Sequence, residues 1–216
     1  MIYKCISKLL CAHHKVVLAD LISQNQSAFV QKCEILYNIM ICQDIIRGYQ
    51  RKQISPRCIL KINLQKAFDS VHWRFIRELL EAMKFLAMFT KWVMACITLT
   101  RFSVHLNCQI CPFFGGGRGL RQGDPLSPLL FALIMEYFSR LMKTARNSKG
   151  FEFRPHCRSL KPSHLIFAND LIMFYKAEPH SLLCIKLALH SFQECAGLQA
   201  NLRKSHIVFG GCSMRL

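Results

Sequence analysis

Apolar and polar residues alternate most sharply over residues 58–65, where Leu60, Ile62 and Leu64 fall on one side of an extended chain and Lys61, Asn63 and Gln65 on the other. A period of two marks a half-buried strand, and it puts Asn63 on the polar face. Elsewhere the period lengthens. Ile35, Ile39, Ile45, Ile46 and Tyr49 recur near helical spacing within residues 34–49, and Ile76, Leu79 and Leu80 do so within 75–83. Pro125 and Pro128 suit a helix start, which Leu129, Leu130, Leu133, Tyr137, Leu141 and Met142 continue. Apolar runs at 165–167 and 171–175 flank Ala168-Asn169-Asp170 and predict a hairpin with its polar residues at the tip. Leu182, Ile185, Leu189 and Phe192 mark a further helix, and residues 207–209 a last short strand. From residue 58 onward the order is strand, helices, helix, hairpin, helix, strand. That is close to the β-α-β-β-α-β plan of ferredoxin-like α+β folds.

Length and charge narrow the field. A chain of 216 residues, 52% of them hydrophobic, can bury one substantial core. Its 29 basic and 12 acidic residues leave a formal net charge of +17, which points to a polyanionic partner, nucleic acid before membrane. The excess is clustered. No acid falls between Glu81 and Asp124, whereas Lys84, Lys91, Arg101, Arg118 and Arg121 do, and seven basic residues from Arg140 to Lys161 face only Glu152. The longest apolar run, residues 129–135, is too short to span a bilayer, and the N-terminal apolar stretch is broken by Cys11, His13, His14 and Lys15. Twelve cysteines read as free thiols in a reducing, intracellular compartment, because a core of this size needs no disulfide framework. The single CxxC, Cys108 to Cys111, has no second ligand pair to complete a zinc site.

Three short stretches carry the candidate chemistry: residues 61–69 (KINLQKAFD), 121–128 (RQGDPLSP) and 167–170 (FAND). In that order they resemble motifs A, B and C of a reverse transcriptase of the non-LTR (LINE-type) retrotransposon family, in its plant-type branch. Residues 3–10 (YKCISKLL), residues 25–30 (NQSAFV), Ser55-Pro56-Arg57-Cys58, Phe113-Phe114 and residues 117–120 (GRGL) extend the resemblance along the chain. Gly197-Leu198 with Asn201 and Lys204 is similar to motif D. The resemblance implies a reverse transcriptase palm with partial helical fingers: residues 1–57 as fingers, 58–216 as palm, with thumb, endonuclease and RNase H absent.

It also implies RNA-directed DNA synthesis on an RNA template and DNA primer with deoxynucleoside triphosphates, in the nucleus. Such in-line phosphoryl transfer uses two divalent ions about 3.5–4 Å apart. Magnesium, a hard ion, wants anionic oxygens, so carboxylates converge from a strand and a neighbouring hairpin tip. Here those family positions are Asn63 and Asn169, and only Asp170 keeps a charge; the Leu64 carbonyl offers one further oxygen. Asp69 is no substitute, since at ~3.3 Å per residue it would lie about 20 Å from Asn63 along a continued strand. It is expected instead to cap a helix beginning near Val71. By resemblance Phe68 is an aromatic gate against the ribose 2′-hydroxyl, although a core phenylalanine accounts for it equally. Gln122 and Gly123 lie along nucleotide and template, Gly123 admitting close backbone approach or simply making a turn. Lys204 sits near the pyrophosphate, and Arg118 and Arg121 meet phosphate or template. Further departures are Lys32-Cys33 where Gly-Arg follows Phe29-Val30 in the family, and His13 for arginine. Loss of a group that only hydrogen-bonds a metal ligand typically costs ~10–100-fold, so loss of two ligand carboxylates is expected to cost more. The expectation is therefore an impaired or inactive polymerase, with a non-catalytic RNA- or DNA-binding remnant or a relic without function as alternatives.

Overall fold

The computed structural model describes residues 2–26, 35–47, 49, 55–147 and 164–211. The positions of Phe29-Val30 and Lys32-Cys33, and much of the basic run before Lys161, lie outside those residues. Two helices, α1 (Ile2–Leu21) and α2 (Ile35–Ile46), precede the long strand β1 (Arg57–Gln65). Then come α3 (Ala67–Ser70), α4 (Trp73–Ala82), α5 (Ala87–Thr98) and four two-residue strands, β2 (Arg101–Phe102), β3 (His105–Leu106), β4 (Gln109–Ile110) and β5 (Phe114–Gly115). Helix α6 (Leu126–Arg146) leads to the hairpin β6 (His164–Phe167) and β7 (Asp170–Lys176), followed by α7 (Pro179–Ala196), β8 (Gln199–Ala200), a 3-10 turn (Leu202–Lys204) and β9 (His206–Gly210).

The main sheet runs β6-β7-β1-β8, with β9 also paired to β1, and every pairing is antiparallel. This α+β arrangement matches the ferredoxin-like plan read from the sequence. Strand β1 owes its place to its alternation. Cys58, Leu60, Ile62 and Leu64 are buried in the main core with Phe131, Phe138 and Met142 of α6 and Ile185 and Phe192 of α7. The opposite face carries a smaller cluster of Ile45, Tyr49, Ile59, Leu165 and Phe174, placed near α2. Lys61 and Asn63 continue that second face past the end of the cluster.

Helix α1 was hidden by its own polar residues. His13 and Lys15 are exposed, while Leu10, Cys11 and Leu18 enter the main core. Buried acids of α6 and the loop before it hold the N-terminal segment. The Asp124 carboxylate accepts hydrogen bonds from the Tyr3 and Ser7 hydroxyls and from the Leu126 N–H at 3.0 Å. Burial and the Asp124 carboxylate push the Tyr3 phenol well above its usual range. Glu136 accepts from Ser23 N–H at 2.8 Å and Ser23 Oγ at 2.7 Å, with Arg140 Nε at 3.4 Å. Beyond α1, Ile166 N–H donates to the Asn25 carbonyl at 2.9 Å, which ties this segment to the hairpin.

One expectation is corrected. The helix expected near Val71 is α4, which starts at Trp73, but Asp69 does not cap it. Asp69 lies inside the single turn α3, Val71 is extended, and α4 starts at Trp73 after His72 with no side-chain cap. The His72 N–H instead donates to the Ala196 carbonyl at 3.0 Å, so tertiary pairing rather than a local carboxylate sets where α4 begins.

His164 gives the fold a pH signature. The ring is fully buried against Phe138, with Nε2 3.0 Å from Ser139 Oγ. Burial, and then the charges of Lys143 and Arg146, push its pKa down to about 3. An unfolded histidine takes a proton near pH 6.5 and the folded ring does not, so stability is complete above that pH and falls as pH drops towards 3. Each unit in that window removes about 1.4 kcal/mol from this group. Urea melts between pH 7 and 4 are expected to show a steeper loss for the unmodified chain than for His164→Gln.

Candidate functional site

Register brings the sequence-marked residues of motifs A and C together. Asn63 pairs directly with Asp170, and Phe167 with Asp170, so Ala168-Asn169 forms a two-residue turn at the hairpin tip. Ala168 takes a left-handed φ of 53°. The Leu64 N–H donates to the Asn169 carbonyl at 2.9 Å, which fastens the tip to β1. Because a strand residue turns its N–H and C=O to the same edge, the Leu64 carbonyl also points towards the hairpin.

The side chains of this pair are in contact. Asn63 Nδ2 donates to Asp170 Oδ1 at 2.7 Å, and Lys61 Nζ stands 3.8 Å from Asp170 Oδ2. Both Asp170 oxygens thus already face a donor. Among the described residues no cluster of three or more His, Cys, Asp or Glu side chains exists that would hold a metal ion. Divalent-ion chemistry is general in the family that the motifs indicate, yet one carboxylate flanked by two amides and an ammonium does not fit a two-ion centre.

Behind Asn63, the turn that follows β8 completes the clamp. Asn201 N–H donates to the Asn63 carbonyl at 2.7 Å, Asn63 N–H donates to Ser205 Oγ at 3.3 Å, and Ser205 Oγ donates to the Asn201 carbonyl at 2.7 Å. Asn201 Oδ1 also accepts from Arg203 N–H at 3.1 Å, capping the 3-10 turn that presents Lys204 to solvent. Motif D is therefore bonded to motif A through backbone groups. Ser205 belongs to this clamp and had no signal in the sequence beyond its neighbours.

Motif B builds a separate concavity. A cavity of about 490 Å³ is lined by Arg118, Arg121 and Gln122 with Asp69, Trp73 and Phe102, and it includes none of Asn63, Asn169 or Asp170. Arg118 also borders an adjoining cleft with His72, Gly197 and Gln199. Phe68 is half-buried, its ring stacked on Phe131 with centroids 4.9 Å apart. One face of that ring thus belongs to the core.

At Gly119 the chain itself makes a close approach, whereas the backbone at Gly123 is uncrowded. At Gly119, φ is 91° and a Cβ would sit 2.7 Å from the Asp69 carbonyl oxygen. Its carbonyl accepts the Trp73 indole N–H at 2.7 Å. Gly123 has φ 83° with open space around it, so its turn favours glycine and no part of the described chain crowds its backbone.

A sheet with polar residues on its central strand and at an adjacent hairpin tip is the palm architecture of template-copying polymerases, and comparison with known proteins agrees. The family model for reverse transcriptase (RNA-dependent DNA polymerase) matches residues 1–213, and the chain belongs to that family. Several of its relatives are proteins of non-LTR elements. It is 27% identical over 179 residues to an uncharacterized 149 kDa protein of transposon TX1 from Xenopus laevis, covering 82% of this chain and 14% of that protein. To the Pol polyprotein of retrotransposable element R2 from Nasonia vitripennis it is 26% identical over 207 residues, covering 93% of this chain and 19% of the relative. The chain thus spans less than a fifth of the length of these relatives. In fold it is similar to telomerase from Candida albicans, solved in complex with a fragment of telomeric RNA, with a TM-score of 0.65 at 13% identity over 94% of this chain and 34% of that one. Apo telomerase from Candida tropicalis, truncated from its C-terminal domain, gives 0.64 at 13% identity over 96% of this chain and 41% of that one.

The two glycines should separate in stability. Gly119→Ala combines left-handed strain with a backbone collision and is expected to cost roughly 2–4 kcal/mol. Gly123→Ala carries the strain alone, about 1–2 kcal/mol. Chemical denaturation of both variants checks the order.

Proposed function

We propose that this chain is a reverse transcriptase domain of a LINE-type element whose polymerase chemistry is impaired and whose nucleic-acid-binding surface persists. The observation that carries the reading is the Asn63–Asp170 contact. In the family's in-line transfer, two magnesium ions activate the primer hydroxyl and hold the incoming triphosphate. Asn63 stands at one carboxylate position and donates its amide to the acid that remains, and Asn169 supplies a second neutral amide at the tip. An amide keeps aspartate's shape while removing the charge a hard cation needs.

The rest of the chain supports binding. On this reading RNA template and DNA primer lie over the second face of the sheet and the motif B surface, with Arg118 and Arg121 on phosphates. Gln122 and Gly123 flank a nucleotide, Phe68 stands by its sugar, and Lys204 is placed for the phosphate end. The excess of basic residues favours a non-catalytic nucleic-acid-binding role as the second reading, since Lys and Arg side chains release counterions from any such backbone.

Primer extension on an RNA template, with magnesium and with manganese, tests the proposal. The unmodified chain is expected to make at least about 100-fold less product than Asn63→Asp/Asn169→Asp. Terbium luminescence gives a readout independent of synthesis: the double variant is expected to bind the ion, and the unmodified chain not. Robust nuclease-free synthesis by the unmodified chain overturns the reading.

A further inference from the structure

The misfit between these residues and a metal pair has a positive counterpart, which rests on the reading that this face meets nucleic acid. We infer that the face around Lys61, Asn63 and Asp170 is a metal-independent phosphate site, in which the Lys61 ammonium takes the place of the missing cations against the phosphodiester backbone.

Charge carries the inference. With aspartates at both amide positions, residues 61, 63, 169 and 170 would hold two net negative charges and would repel a phosphate until cations neutralised them. As they stand, the single carboxylate is matched by Lys61, 3.8 Å away, and the four side chains cancel. Around this neutral centre the surroundings are basic. His206 lies opposite Lys61 in the β1–β9 ladder, so the two side chains share a face, and His206 is exposed. The turn that clamps Asn63 presents Arg203 and Lys204 to solvent. Asn63 can give Asp170 only one amide hydrogen in the observed contact, which leaves its second amide hydrogen for an anionic oxygen. At ordinary ionic strength charges interact over about 10 Å, so this cluster acts on a bound backbone directly rather than through the rest of the protein.

The test is fluorescence anisotropy of a labelled DNA primer annealed to an RNA template, titrated with the full chain in EDTA or in magnesium. Affinity of the unmodified chain in EDTA is expected to be at least as high as in magnesium, because magnesium only competes for the phosphates. Asn63→Asp/Asn169→Asp should bind about 5-fold or more weaker in EDTA and recover on adding magnesium, a rescue that also shows the variant is folded. Lys61→Met should lower the slope of log affinity against log salt by about 1, and Lys61→Arg should restore it. Loss of binding by the unmodified chain on chelation overturns the inference, as does equal binding in EDTA by the double aspartate variant. If these binding results fail while the aspartate variant still outperforms the unmodified chain in primer extension, the impaired-polymerase reading stands without this site.

Discussion

Strand β1 is hydrogen-bonded along both edges, and its ladders bring Asn63, Asp170 and the segment after β8 together. Register along such a ladder is set by which side chains must be buried, because a slip of one residue turns the whole apolar set outward. Cys58, Leu60, Ile62 and Leu64 are all buried against the helices. Full burial of a large aliphatic side chain is worth about 1.5–3 kcal/mol. Exposing Leu60, Ile62 and Leu64 together would thus cost several times the roughly 1.5–3 kcal/mol assigned to one hydrogen bond with a charged group. The apolar side of β1 therefore fixes that Asn63 meets Asp170; their contact is a consequence of the packing and not its cause.

That order of causes explains what could be read from the chain alone. The period of two in β1, the hairpin about Ala168-Asn169 and the helical periods of α4, α6 and α7 are local patterns, and each element formed within a few residues of its expected place. Helix α5 and the short strands between Arg101 and Gly115 were not anticipated. Their residues follow no single period, and α5 is apolar on most sides, with Leu86, Met88 and Trp92 exposed near its start and Val93 and Met94 buried. The capping of α4 departs from its expectation for a different reason. A carboxylate ahead of a helix is a local signal, whereas the His72–Ala196 bond that sets this helix joins segments more than a hundred residues apart.

The site divides the same way. Asn63, Asn169 and Asp170 were legible because motif spacing names them, and the register joined them. The roles of Ser205, Tyr3, Ser7 and Gly119 are not legible in the sequence, since each acts through a partner distant along the chain. Gly119 shows this most directly: only the folded chain brings the Asp69 carbonyl to where its Cβ would be. Asp124 reads in the sequence as one letter of motif B, but the structure makes it the acceptor that binds α1 to the start of α6.

A palm can lose its carboxylates more easily than its shape. Carboxylates gathered without cations repel one another, a cost the fold bears for the sake of chemistry. Replacing two of them by amides removes that repulsion, and at Asn63 it adds a donor to the acid left behind. The main-chain bonds that hold the site, from Leu64 to Asn169 and from Asn201 to Asn63, involve no side-chain charge and are indifferent to the exchange. On the proposed reading, acids at these positions would serve the chemistry, and the main-chain bonds that hold the site draw nothing from them.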